Sequence, residues 1–127
     1  MSKIGLFRCA DNELKCPLTS CLKSLKSREE GFAGYLETEL VGIFTLQNDL
    51  EENLKLARIM AAKGAEAIHL VTCSFAHRGE GKTWHLGRGF VRDPDNLARE
   101  IAKAGGLPCV KGSAHLPADY EVETYTA

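Results

Sequence analysis

The residues able to do chemistry in this chain are mostly thiols. Cys9, Cys16 and Cys21 fall within one stretch, RCADNELKCPLTSC, spaced Cys9-x6-Cys16-x4-Cys21, and Cys73 follows far along the chain. Folding alone does not call for three thiols between the end of a strand and the first turns of a helix. Four thiolates in a tetrahedral set would hold zinc or another transition metal, or an iron–sulfur cluster. The x6 and x4 spacings differ from the close C-x2-C knuckle of ordinary zinc modules, so the fold itself would have to assemble the set. His69, His77 and His85 are secondary ligand candidates. The same thiols admit a second chemistry. Cys9 or Cys73 would be the nucleophile of a thiol or redox enzyme, activated by the positive end of a following helix and by Arg8 and Arg78.

Two phosphate-type patterns are weaker. Cys73-x4-Arg78 is similar to the anion-cradling loop of small cysteine phosphatases and arsenate reductases, which set five residues between cysteine and arginine rather than four. Ala76-x4-Gly81-Lys82-Thr83 satisfies a loose phosphate-loop pattern, but the glycine-rich Trp84 to Gly89 follows where a helix must open. The second pattern reads as coincidence. Plainer roles compete throughout. Cys21 sits on an apolar helix face and Cys109 in a strand, where thiols fill core. His69 lies inside a strand, where a histidine is more often buried and satisfied than a ligand, although alternation turns it to the same side as Cys73. His77, Trp84 and His85 belong to a glycine-rich loop, either plain surface or a lid carrying a ligand.

Composition narrows the function classes. The chain has 127 residues, a hydrophobic fraction of 44%, a charged fraction of 26% and a net charge of −1. That predicts one globular domain over residues 1–127, with no basic field to attract nucleic acid or an anionic membrane. The apolar runs are far too short to span a bilayer. The opening MSKIGLFRC lacks the hydrophobic core of a signal peptide. Five cysteines is an odd number and argues against a full set of disulfides. The expected location is the cytoplasm, where thiols stay reduced. A small-molecule or protein partner, and self-association, are left open.

The elements that must position the thiols follow from periodicity. Lys3 to Arg8 is a short apolar run that reads as a central parallel strand ending at Cys9. Cys16-Pro17 opens a helix with Leu18, Cys21, Leu22 and Leu25 on one face. Tyr35 to Thr45 is a second strand. Asn48 or Asp49 caps a second helix with Leu50, Leu54, Ala57 and Ala61 inward. Ala65 to Cys73 is a third strand, again ending in cysteine. Residues 74–92 have no clear period and read as a long functional loop. Asp93-Pro94 starts a third helix, Leu107 to Lys111 forms a fourth strand, and Tyr120 to Tyr125 adds a short edge element. The alternation predicts an α/β three-layer domain, its mostly parallel sheet of four or five strands in flavodoxin-like order 2-1-3-4. In that order the first and third strands are neighbours. Cys9 and Cys73 then meet at the carboxyl ends of the strands, where such sheets bind ligands.

In these residues the chain resembles the CGGC-domain proteins, a family of small prokaryotic proteins. The matching pieces are Ile4-Gly5 with Arg8-Cys9, Cys16-Pro17 to Cys21, Val41-Gly42, and Gly64-Ala65 to Cys73 with His69. The resemblance implies an α/β domain with a cysteine-rich, metal-binding site, zinc being the first expectation, and no particular reaction. The namesake motif is missing. Its slot after the second strand reads Leu46-Gln47-Asn48-Asp49, and no cysteine-proline-histidine motif follows the third. A member so altered would bind a different metal, with Asp49 and histidine as harder ligands, or would bind none and take a small anion or a protein partner.

Overall fold

The computed structural model describes residues 2–80 and 83–126. Its elements run β1 (Ser2–Arg8), α1 (Thr19–Ser27), β2 (Thr38–Thr45), α2 (Leu50–Ala62), β3 (Ala67–Leu70), β4 (Ala76–Arg78), β5 (Trp84–Leu86), α3 (Pro94–Gly105), β6 (Cys109–Lys111) and β7 (Glu123–Tyr125). The main sheet is ordered β2-β1-β3-β6-β7. Its first three pairings are parallel and β7 is antiparallel to β6. The order 2-1-3-4 therefore forms as the periodicity predicts, with β6 as the fourth parallel strand and the tail supplying the edge.

β1 lies inside the sheet because it is apolar on both faces. Ile4 and Leu6 pack with Leu25 of α1 and with Phe32. Phe7 packs on the other side with Leu54, Ala57 and Ile101 of α2 and α3. Ile4, Leu6 and Phe7 are fully buried, a contribution of about 1.5–3 kcal/mol each. Gly5 lets α2 come close: a Cβ there would lie 2.5 Å from Met60 Cγ. Helices thus cover both faces. The caps follow the sequence as well. Asp49 accepts a hydrogen bond from the Glu51 N–H, and Asp93 accepts one from the Asn96 N–H ahead of Pro94. The Asp49 carboxylate is a helix cap rather than a ligand.

Three local expectations need correction. α1 starts at Thr19, not at Pro17, because Leu18 adopts a left-handed conformation (φ 66°). Leu18 is driven there by burial against Cys21, Val71 and Ala114. β3 stops at Leu70, and a 3-10 turn over Thr72–Ser74 carries Cys73. The glycine-rich loop contains a hairpin, β4 with β5, in which His77 stands opposite His85. Three-residue strands are too short to print a period on the sequence. Gly81 and Lys82 of the loose phosphate pattern lie outside the described residues. Among the described residues no helix is long and apolar enough to cross a membrane.

Candidate functional site

The register between β1 and β3 decides what meets at the sheet's carboxyl end. Phe7 stands opposite Leu70, and the Val71 N–H donates to the Phe7 carbonyl at 3.0 Å. Cys9, two residues past Phe7, and Cys73, three past Leu70, bring their sulfurs to 2.6 Å. Both are free thiols. This contact is only about half an ångström longer than the 2.05 Å of a disulfide bond.

The two thiols are unequal. The Cys73 S–H donating to it lowers Cys9, to about 6, with help from the Asn12 backbone and side-chain N–H groups and against the cost of burial. Asn12 Nδ2 lies 3.4 Å from Cys9 Sγ. Cys73 is pushed up, first by the proton it shares with Cys9 and then by burial. The thiolate is thereby favoured at Cys9 and the proton at Cys73. The source of the activation is local. Arg8 is engaged with the loop, its Nη2 donating to the carbonyls of Asn12 (3.1 Å) and Cys16 (2.6 Å).

The pair lies at a cavity of about 450 Å³ whose lining also includes Cys16, Cys21, Asn12 and His77. Cys16 is exposed on the rim, its sulfur accepting from the Leu18 N–H at 3.4 Å. Cys21 is buried and 3.1 Å from Ser113 Oγ, with its thiol raised by burial. Four thiols thus face one cavity without forming a tetrahedral cluster. Among the described residues no three His, Cys, Asp or Glu side chains converge to hold a metal ion. The pair also fits a chelated metal poorly as it stands. Two thiolates bound tetrahedrally at about 2.3 Å sit about 3.8 Å apart, well beyond the observed 2.6 Å.

The histidines divide. His69 is fully buried, its Nδ1–H donating to the Gly112 carbonyl (2.8 Å) and its Nε2 accepting from the Tyr35 hydroxyl (2.7 Å). Both ring nitrogens are committed, and burial holds its pKa down at about 4. Alternation with Cys73 fails because the strand ends at Leu70. Four residues along a strand would in any case span about 13 Å. His77 reaches the cavity, donating from Nδ1 to the Gly87 carbonyl at 2.8 Å. His85 is exposed and pairs with Thr83 Oγ1 at 3.2 Å. Cys109 is buried, its thiol pushed up to about 12 by burial, as a core filler should be.

Asn12 and Arg88 also line the cavity, as does His115, which the sequence places at or beyond the fourth strand without marking it for the site. His115 follows the end of β6 just as Cys9 and Cys73 follow β1 and β3. The same rule of strand carboxyl ends would have found it. A larger cavity, about 750 Å³, lies at the amino ends of the strands beside Tyr35, Glu66 and Pro108. It contains no thiol, and ligands of parallel sheets favour the other end.

Comparison with family models gives one described as the CGGC domain, matching residues 3–114. Comparisons with curated proteins and with solved structures find no match.

Proposed function

The chain belongs to the CGGC-domain family, and we propose that it is a dithiol redox protein in which Cys9 is the nucleophile and Cys73 the resolving thiol. The observation that carries this reading is the 2.6 Å contact between one sulfur disposed to be a thiolate and one that holds the proton. The Cys9 thiolate attacks one sulfur of an oxidised disulfide, the partner's S–S bond breaks, and one thiolate leaves. Once Cys9 is in a mixed disulfide, the anion that raised Cys73 is gone. Cys73 then releases its proton to that departed thiolate and attacks Cys9 Sγ, which breaks the mixed disulfide and expels the partner's second sulfur as a thiolate. The Cys9–Cys73 disulfide forms and two electrons have passed to the partner. A reduced dithiol partner runs the sequence in reverse. Such a pair works in a reducing compartment, and the cytoplasm is the proposed location.

A second reading is metal binding, with zinc first. It is favoured by four thiols lining one cavity. It requires the Cys9 and Cys73 sulfurs to part by about 1 Å and Cys16 to swing in from the rim.

One experiment separates the two. Protein purified without a histidine tag is analysed for metal and treated with a glutathione redox buffer, then mapped by mass spectrometry. The redox reading expects a Cys9–Cys73 crosslink in metal-free protein and no crosslink in Cys73→Ser, where Cys9 still alkylates quickly. Stoichiometric metal that protects both thiols and is lost in Cys9→Ala would instead establish the second reading.

A further inference from the structure

The cavity around the Cys9–Cys73 pair carries a charge asymmetry that the redox reading does not use. Two guanidinium residues, Arg78 and Arg88, line it against one carboxylate, that of Asp11. Among the described residues neither arginine enters an ion pair, since the ion pairs there involve lysines only. Arg88 is also held in place by unusual backbone. It adopts φ 54°, a conformation that costs a non-glycine side chain of order 1 kcal/mol or more. It lies between Gly87, at φ 94°, and Gly89, where a Cβ would fall 2.5 Å from the Phe75 nitrogen and the Ser74 carbonyl carbon. Gly89 thus clamps the Arg88 turn onto the segment that follows Cys73. His115, on the same lining, is likewise at positive φ (55°). Its ring stacks on Trp84 at 5.5 Å and an interplanar angle of 7°, closing the wall beside the arginines. At about 450 Å³ the cavity suits a small molecule.

We propose that Arg78 and Arg88 select the oxidised partner of the dithiol, and that it is a low-molecular-weight disulfide carrying carboxylates. The arginines hold the carboxylates at the cavity wall while one sulfur of the substrate meets Cys9 Sγ. Bond changes are those of the exchange already described, so this inference rests on the redox reading.

The test uses three small disulfides of different charge: 3,3′-dithiodipropionate (dianion), bis(2-hydroxyethyl) disulfide (neutral) and cystamine (dication). Each rate is divided by that compound's rate with a free small thiol, to remove differences in leaving-group pKa. Reduced full-length protein is mixed with each at low ionic strength. Formation of the Cys9–Cys73 disulfide is followed in a single turnover. The dianion is expected to react about tenfold faster than the neutral compound or better, the dication slowest, with the advantage shrinking as salt rises. In Arg78→Ala/Arg88→Ala, both substituted residues being exposed, the ratio of the dianion's rate to the neutral compound's should fall to about that of a free thiol. Equal rates for all three, or an undiminished preference in the double variant, would overturn the charge selection and leave the redox reading standing. If none of the three forms the crosslink, the redox reading itself is overturned.

Discussion

His69 and Cys73 sit four residues apart on one stretch of chain and have opposite fates. His69 is buried with every polar atom committed, Nδ1 to Gly112 and Nε2 to Tyr35, and Phe32 packs on its ring with centroids 4.5 Å apart. Cys73 is half-buried, and the acceptor for its proton is another thiol. The first arrangement is closed. Burial suppresses the histidine's charge, and nothing that enters the cavity can reach it. The second is open, because a sulfur–sulfur contact can become a bond when two electrons leave. A buried titratable group becomes functional when its partner can also change state, and burial alone does not supply that.

The comparison can be broken most severely at the thiol end. Cys9→Ser should abolish the crosslink and remove the fast alkylation phase, a drop of at least about tenfold at pH 7, because burial raises the Cys21 and Cys73 thiols beside it. A fast phase surviving in that variant would move the nucleophile elsewhere. At the histidine end the readout is stability. With a folded pKa near 4 and an unfolded one near 6.5, the unfolded chain takes up a proton first as pH falls. The contribution is fully present above about pH 6.5 and is lost progressively down to about pH 4, by at most about 3 kcal/mol. Chemical denaturation at a series of pH values should show this slope, and His69→Gln should flatten it.

Smaller effects sharpen the contrast. The alkylation rate of Cys9 should rise with pH through about 6 and level off by about pH 8, since only the thiolate reacts. One unit below the midpoint it should be roughly tenfold under the plateau. Tyr35→Phe leaves His69 Nε2 without a donor and should cost about 1 kcal/mol of stability, with the thiol's rate profile unmoved. Asn12→Ala removes the weak side-chain donor to Cys9 and keeps the backbone one, so the midpoint should rise by a fraction of a unit while stability changes little.

The sequence made some of this legible and hid the rest for physical reasons. The strand order followed from apolar runs alternating with capped, periodic helices. Placing Cys9 beside Cys73 needed only that order and the fact that each follows closely on the carboxyl end of a strand. Which thiols would stay apart was not legible. Cys16 is held at the rim because the Leu18 backbone turns left-handed and delays α1. The spacing of cysteines carries no trace of that turn. The hairpin of β4 and β5 was hidden because three residues per strand give no alternation to count. His69 was misplaced by extending strand alternation past Leu70, where the chain tightens into a 3-10 turn. Asn12 escaped notice because its importance comes from a loop conformation fixed by Arg8.

The most direct test of the account is a redox titration of the intact protein in glutathione buffers, quenched with an alkylating agent and read by mass spectrometry for each cysteine. The account predicts that Cys9 and Cys73 lose their free thiols together, as one two-electron couple with a slope of about 30 mV per decade, while Cys21 and Cys109 stay reduced throughout. Separate midpoints for Cys9 and Cys73, each as its own glutathione adduct with no crosslink at any potential, would contradict it.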